Sequence, residues 1–457
     1  MVQSLDTRAR PTSRKPADPV LDLWPDAPAT VAQTRLPGVY LADLVLKTIY
    51  FSGPSTLDVL SARIGVMASV VEEITDHLRA QGLLETQTNP EHAGQSYSVM
   101  AYRFGLTGKG EARTNEVLKR SRYAGLAPVP LEQYVEMTMK QSLRTRPATS
   151  AQIQEAMSPF VLRPGVRDSV ARAFHSGRAA LIYGDSGNGK TALVDAYARS
   201  FGENILMPGA IYVNGQTIRL FDAAVHKVAD IQVPDENSAE TRGLLRGGVR
   251  TLDARWLGVR RPVVVVGGEL TAQDLEVNFD QTAGFYLAPA HLKAQDGIFV
   301  IDDFGRQQVS PAELLNRWIV PLEQGYDLLT LITGEKVKIP FEMSVLFSTN
   351  LSPNDLADEA FLRRIPYKVR ILGPGEEEMA EIARRECRRR EIDWDEMGVQ
   401  ALVDAVFQPD RPTAKAVYPR DILTIIEDGA RWMGQRARLT PESIDDACRC
   451  YFVMEEI

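Results

Sequence analysis

One run of eight residues, Gly184-Asp185-Ser186-Gly187-Asn188-Gly189-Lys190-Thr191, constrains this chain more than any other stretch. It fits the spacing G-x-x-x-x-G-K-[ST] without a gap. With glycine near about 7% of average usage, the pattern arises by chance in about one or two chains per hundred of this length. Its flanks narrow the reading further. Ala179-Ala180-Leu181-Ile182-Tyr183 is an apolar run of strand length, and Ala192, Leu193, Ala196 and Tyr197 then recur at helical spacing. A strand, a glycine-rich turn and a helix predict a loop that wraps phosphate. Its glycines let backbone N–H groups point inward beside a positive helix N-terminus. Gly184 to Gly189 would line this cradle, with Asp185, Ser186 and Asn188 between the glycines. Lys190 would place a cation on the β- and γ-phosphates, and the Thr191 hydroxyl would ligate Mg²⁺. The competing reading, a plain glycine turn, does not require this context on both sides.

A phosphate loop needs an acidic partner on a separate strand, and one is present. Gly297-Ile298-Phe299-Val300-Ile301-Asp302-Asp303 is an apolar run ending in two carboxylates. Asp302 would hold Mg²⁺ through water, and Asp303 would orient or deprotonate the attacking water. ATP and Mg²⁺ are therefore the expected cofactors.

With these two motifs, the chain resembles the AAA+ ATPase superfamily from roughly Phe160 to Ile457, the motifs standing as its Walker A and Walker B elements. Further segments follow in the family's order. Met343 to Asn350 is similar to the sensor-1 strand, and the resemblance gives Asn350 the task of positioning water near the γ-phosphate. Ala360-Phe361-Leu362-Arg363-Arg364-Ile365 resembles the segment with the arginine finger, which reaches the nucleotide of a neighbouring subunit. Register favours Arg364, with Arg363 as the alternative. A guanidinium suits this role because it is always charged and can bind two phosphate oxygens at once. Tyr418-Pro419-Arg420-Asp421 resembles sensor 2, and implies that Arg420 contacts the γ-phosphate from the lid of the same subunit. Helical periodicity over 374–457 fits the family's all-α lid. Asp303 departs from the family, which usually has glutamate there; one methylene less means a longer water path or slow hydrolysis. Leu328 to Ile339, turning at Gly334, looks like the hairpin before sensor 1 in several branches, including the MoxR-like one. Val263–Glu269 and Leu275–Phe279 are expected to pair as a second hairpin, with Phe285-Tyr286 either exposed toward a pore or packed in the core.

Upstream, residues 1–36 combine Arg8, Arg10, Arg14 and Lys15 with several prolines and read as a mobile arm. Leu41, Leu44, Val45, Thr48 and Ile49 then mark one face of a helix. A second helix follows Ser52-Gly53-Pro54, capped by Ser55 or Thr56 and ended by Gly65; a third carries Val70, Val71, Ile74 and Leu78 and stops at Gly82. Strand-like residues Tyr97 to Phe104 and a helix to about Ser121 complete a winged helix-turn-helix pattern over 37–122. Its third helix carries Glu72, Glu73 and Asp76 against Arg79 alone. An acidic helix is repelled by phosphates, so protein docking is favoured over DNA binding. Residues 123–160 read as a linker with helical character near Leu131 to Lys140, residues 161–372 as the α/β core, and 373–457 as the lid.

A net charge of −8 argues against a general nucleic-acid binder. Three cysteines form neither a disulfide framework nor a zinc set, and no apolar run approaches the roughly 18 residues of a membrane span. A cytoplasmic protein is expected, with no membrane partner. No Asn-Lys-x-Asp guanine-reading motif and no HExxH pair occurs. The expected fold is thus multidomain α/β: a P-loop NTPase core, a parallel sheet with helices on both faces, plus an all-α lid, preceded by the winged-helix-like module. The expected function is ATP hydrolysis in a homo-oligomeric ring, a hexamer by the resemblance, that remodels or matures a protein client docked on the N-terminal module. A DNA-binding ATP-dependent regulator and a non-catalytic ATP-dependent scaffold are the alternatives.

Overall fold

In the computed structural model, residues 18–88, 102–231, 251–356, 359–409 and 413–452 are described. Helices α1 (Gly38–Ser52), α2 (Leu57–Ile64) and α3 (Ala68–Ala80) open the N-terminal module. The antiparallel strands β1 (Leu84–Thr88) and β2 (Tyr102–Leu106), and then α4 (Gly108–Arg120), complete it. The Thr56 hydroxyl accepts from the Val59 N–H to cap α2, and Gly65 ends that helix at φ 72°. Leu44, Leu60, Val71 and Phe104 close on a common apolar core. The expected strand from Tyr97 lies partly outside the described residues.

Two boundaries differ from expectation. Residues 18–36 do not form a loose arm, because their apolar side chains find partners. Val20 is buried, the Trp24 indole N–H donates to the Asp253 carbonyl at 3.0 Å, and Leu36 enters the N-terminal core. Residues 123–160 are not a free linker either. Val129–Pro130 forms β3, and α5 (Leu131–Gln141) buries Tyr134 and Met137. Helix α6 (Ser150–Met157) carries a capping box, Thr149 with Gln152, and packs Ile153 and Met157 beneath the central sheet. The single-chain signal here was proline content, whereas burial of these helical faces decides the outcome.

After α7 (Pro164–Ser176) come β4 (Ala180–Tyr183) and α8 (Lys190–Ser200). The chain then leaves the core to build an accessory layer. Strands β5 (Asn204–Pro208) and β8 (Trp256–Arg260) pair antiparallel. Strands β6 (Ala210–Val213) and β7 (Gln216–Arg219) join β3, β10 (Asn278–Asp280) and β11 (Phe285–Leu287) in a sheet of order β10-β11-β7-β6-β3. Phe285 and Tyr286 lie in this sheet and are buried, so the pore-facing reading is corrected. The expected hairpin between Val263–Glu269 and Leu275–Phe279 is absent. Val263–Val266 is instead β9, the parallel edge of the central sheet beside β12 (Ile298–Ile301), and Phe279 lies opposite Tyr286. Four consecutive β-branched residues suit this edge strand, in which Val264 is buried and Val265 exposed.

Following α9 (Ala290–Lys293) and β12 are α10 (Pro311–Arg317), α11 (Ile319–Gln324), and the hairpin of β13 (Tyr326–Thr330) and β14 (Lys336–Pro340). Gly334 turns this hairpin at φ 81°, as expected. The Ile332 N–H donates to the Tyr286 hydroxyl at 2.9 Å, which docks the hairpin on the accessory sheet. Strand β15 (Ser344–Thr349), short helices α12 (Pro353–Leu356) and α13 (Glu359–Leu362), and β16 (Tyr367–Arg370) finish the core. Its sheet has the order β16-β4-β15-β12-β9, all parallel. Ala180, Ile182, Val300 and Leu346 face α6, α7 and α8, while Leu181, Phe299, Ile301 and Phe347 face Leu314 and Trp318. Such alternation on the covered central strands β4, β12 and β15 produces the continuous apolar runs in the sequence. The C-terminal unit holds α14 (Glu376–Arg390), β17 (Asp393–Trp394), α15 (Glu396–Val406), α16 (Tyr418–Trp432), β18 (Arg438–Leu439) and α17 (Pro441–Tyr451) around its own core. The molecule is multidomain α/β, with a parallel sheet flanked by helices on both faces and followed by a helical unit. Among the described residues no helix is long and apolar enough to cross a membrane.

Candidate nucleotide-binding site

Strand register brings the expected site residues to one edge. Tyr183 lies opposite Thr349, and Phe347 opposite Ile301. Gly184, Asn350 and Asp302, which follow these strand ends, therefore emerge side by side. The chain leaves β4 by way of α8 and returns at the far edge, so a crevice opens beyond the carboxyl ends of β4 and β15.

The loop over this crevice adopts backbone that its glycines permit. Gly184, Gly187 and Gly189 have φ of 137°, 86° and 82°. A Cβ at Gly184 would stand 2.1 Å from the Ile371 carbonyl oxygen, so only glycine fits against the end of β16. Lys190 opens α8 and is buried. Its ammonium donates to the carbonyls of Gly184 (2.8 Å) and Asp185 (3.1 Å) and to Asn350 Oδ1 (2.5 Å). Burial pushes this lysine below its usual range, against the opposing pull of Asp303, Asp302 and Asp185.

Next along α8, the Thr191 hydroxyl donates to Asp302 Oδ2 at 3.2 Å. The Asp302 N–H donates to the Val266 carbonyl and the Phe304 N–H to the Ser348 carbonyl, which fixes the acidic turn between β9 and β15. Asp303 follows in the left-handed region at φ 49°, with its side chain exposed and its N–H on Asp302 Oδ1. Gln307 braces both acids by donating to their carbonyls at 2.8 and 3.2 Å. Sequence reasoning missed Gln307, and the short offset from two acids was the only hint.

A hydroxyl and one carboxylate are few ligands for a metal, and no cluster of three or more acidic, histidine or cysteine ligands occurs among the described residues. That set fits Mg²⁺, which keeps several waters and binds through one or two protein oxygens plus phosphate. A nucleotide base also has a candidate seat. A cavity beside the loop is lined by Val161, Leu162, Val166, Ile371, Ile382 and Asn188. The Asn188 side-chain nitrogen is buried there without a hydrogen-bond partner among the described residues, while its oxygen accepts from the Ala416 N–H at 3.1 Å. Arg163 and Glu378 of α14 also line the cavity, with Arg163 donating to Glu378 and to the Gly373 carbonyl. These clasping residues lay outside the sequence motifs.

Two expected residues are not brought into this cluster. Arg420, at the start of α16, is 58% exposed and pairs with Asp421 at 2.9 Å. Arg364 pairs with Glu323 of α11 at 2.7 Å, whereas Arg363 is exposed.

A family described as "Domain of unknown function (DUF8689)" matches residues 375–450, which span the helical C-terminal unit. No curated protein matches the chain. Among solved structures it is similar to the Thermotoga maritima RuvB Holliday junction branch migration motor, at 11% identity and TM-score 0.36 over 63% of this chain and 69% of that one. It is also similar to NtrX from Brucella abortus in complex with ATP, at 13% identity and TM-score 0.37 over 75% of this chain and 61% of that one. What this chain can do chemically follows from its own side chains.

Proposed function

We propose that this chain is an ATPase of the AAA+ superfamily, near the MoxR-like branch, that hydrolyses ATP to ADP and phosphate with Mg²⁺. One observation carries the reading: Lys190 meets Asn350 at 2.5 Å while Thr191 meets Asp302 at 3.2 Å, at the ends of three adjacent parallel strands. That convergence supplies a cation for phosphate, a hydroxyl–carboxylate pair for a divalent ion, and a polar amide between them.

The loop N–H groups from Gly184 to Thr191 take phosphate oxygens, with the ammonium of Lys190 turning from its loop carbonyls toward the β- and γ-phosphates. Thr191 and, through water, Asp302 would hold the metal, which would supply positive charge to neutralise that developing on the phosphates. Asp303 accepts a proton from the attacking water, and Asn350 orients that water. Water oxygen bonds to the γ-phosphorus, and the bond from phosphorus to the bridging oxygen of ADP breaks. The apolar cavity takes the base, and the unpartnered Asn188 nitrogen supplies a donor there.

Arg364, with Arg363 as the alternative, serves a neighbouring subunit's nucleotide, which implies a homo-oligomeric ring, six-membered in this reading. Hydrolysis changes the angle between core and lid, and the docked hairpin β13–β14 carries motion to the accessory sheet and N-terminal module. The exposed face of α3 presents Glu72, Glu73 and Asp76, so a protein client suits that module better than DNA.

Calorimetry and phosphate release on the purified chain test the reading. Wild type should bind ATP and release phosphate steadily, and Lys190→Ala should lose both. Mg²⁺-replete wild type without nucleotide binding would remove the motor interpretation; binding without turnover would leave an ATP-dependent scaffold.

A further inference from the structure

The segment joining α15 to α16 touches the phosphate loop at several points. The Val417 N–H donates to the Gly187 carbonyl at 2.9 Å, and the Ala416 N–H to Asn188 Oδ1 at 3.1 Å. On the other side, a Cβ at Gly373 would stand 2.3 Å from the Ala414 carbonyl oxygen. Residues 414–417 are thus seated between the loop and the crossing from core to lid.

Within this seam, Lys415 lies across the apex of the loop. A Cβ at Gly187 would meet Lys415 Cδ at 3.3 Å, Lys415 Cβ at 3.6 Å and Val417 Cγ1 at 3.0 Å. The missing side chain at Gly187 therefore makes room for the lysine stem, whose ammonium is two bonds beyond the contacting Cδ. No hydrogen bond or ion pair holds that ammonium to another described residue. Arg420 differs on each count: it is exposed, paired with Asp421, and on the solvent side of α16, whose buried residues are Tyr418, Pro419, Ile422 and Leu423.

Charge points the same way. Around the loop, Lys190 faces Asp185, Asp302 and Asp303. A polyphosphate brought into this acidic surrounding needs cations beyond Lys190 and the metal. Beside the apolar Val417, Lys415 is a cationic lid residue whose side chain already reaches the loop.

We propose that Lys415, and not Arg420, is the lid cation that binds the polyphosphate of the nucleotide. The proposal rests on the nucleotide reading above and assigns one contact within it. A lysine here makes lid closure depend on the phosphates, because one flexible point charge connects the seam to the ligand.

The test is calorimetric titration of the full-length protein with Mg·ADP, with a non-hydrolysable Mg·ATP analogue and with adenosine, for wild type, Lys415→Ala, Lys415→Arg and Arg420→Ala. Lys415→Ala should weaken Mg·ADP about tenfold or more, the loss of a charge-assisted hydrogen bond. Adenosine affinity should be unchanged, Lys415→Arg should recover most of the loss, and Arg420→Ala should stay within about twofold of wild type for both the diphosphate and the triphosphate analogue. An equal loss for ADP and adenosine would mean that Lys415 only packs the seam, and the proposal would fall. Unchanged ADP affinity in Lys415→Ala, or a loss carried by Arg420→Ala, would overturn it while leaving the nucleotide site intact. If wild type binds no ADP, the nucleotide reading fails and this contact fails with it.

Discussion

At the scale of single residues, function and stability place opposite demands on carboxylates. Asp303 is exposed and held only through its backbone, which leaves its side chain available to water. Asp303→Asn keeps the shape but cannot accept a proton, so ATP should bind with near-wild-type affinity in calorimetry while phosphate release falls about a hundredfold or more. Equal turnover in the variant would remove Asp303 from the proton path. Asp327 shows the structural use of the same group. Burial alone would raise its pKa, but His291 Nε2 at 2.9 Å and the two Arg317 nitrogens at 2.5 and 3.0 Å outweigh it and hold the carboxyl at about 2. A folded-state value below the unfolded value of about 3.9 stabilises the protein above that pH, and the gain is lost as pH falls from about 4 through about 2. The stake is about 2 kcal/mol. Urea unfolding of wild type and Asp327→Asn should therefore differ most near neutral pH and converge as pH falls to about 2. A constant difference across that range would mean that the charge is not what Arg317 and His291 hold.

At the scale of elements, Gly184 shows why the turn after β4 has its composition. Two independent constraints meet at this position: φ of 137° and an approach of 2.1 Å between a hypothetical Cβ and the Ile371 carbonyl. Gly184→Ala should destabilise the core by about 2–4 kcal/mol in chemical denaturation, because backbone at β16 must move. It should also abolish nucleotide binding, and a variant of wild-type stability would show that the loop can give way. The same elements explain how much was legible beforehand. Gly184 to Thr191, Asp302-Asp303 and the run to Asn350 could be read because a covered parallel strand needs consecutive apolar residues, and each run ends in a polar one at the crevice. The hairpin turning at Gly334 was legible from its glycine. The accessory sheet was not: β10 and β11 are three residues each, and the pairing of β11 with β7 joins segments some seventy residues apart. Nor could spacing tell Lys415 from Arg420, since Lys415 is placed by the backbone bonds of Ala416 and Val417 to the loop, whereas Arg420 lies in the first turn of α16. Residues 18–36 were misread because Val20, Trp24 and Leu36 are too sparse to show periodicity, yet each is held by a distant partner.

At the scale of the whole molecule, the two arginines before β16 raise the question of what completes the site. Arg364 is tied to Glu323 at 2.7 Å and takes no part in the cluster around Lys190, so in a single chain nothing assigns it to the nucleotide. A ring supplies a reason: the residue would then serve the next protomer, with Arg363 exposed beside it. The consequence is a separation of binding from turnover. Arg364→Ala should bind ATP as wild type does in calorimetry, because its own crevice is whole, but phosphate release should fall by about 10- to 10³-fold. Lys190→Ala has the complementary defect, an empty crevice beside an intact finger. When the two variants are mixed, some junctions pair a competent crevice with a competent finger, and turnover should rise above that of either alone. Arg363→Ala taken through the same mixing separates the two candidates, since only the true finger complements. Mixed assemblies that form, as judged by differently tagged subunits eluting together, yet recover no turnover would place the finger's action within its own chain and remove the reason for a ring.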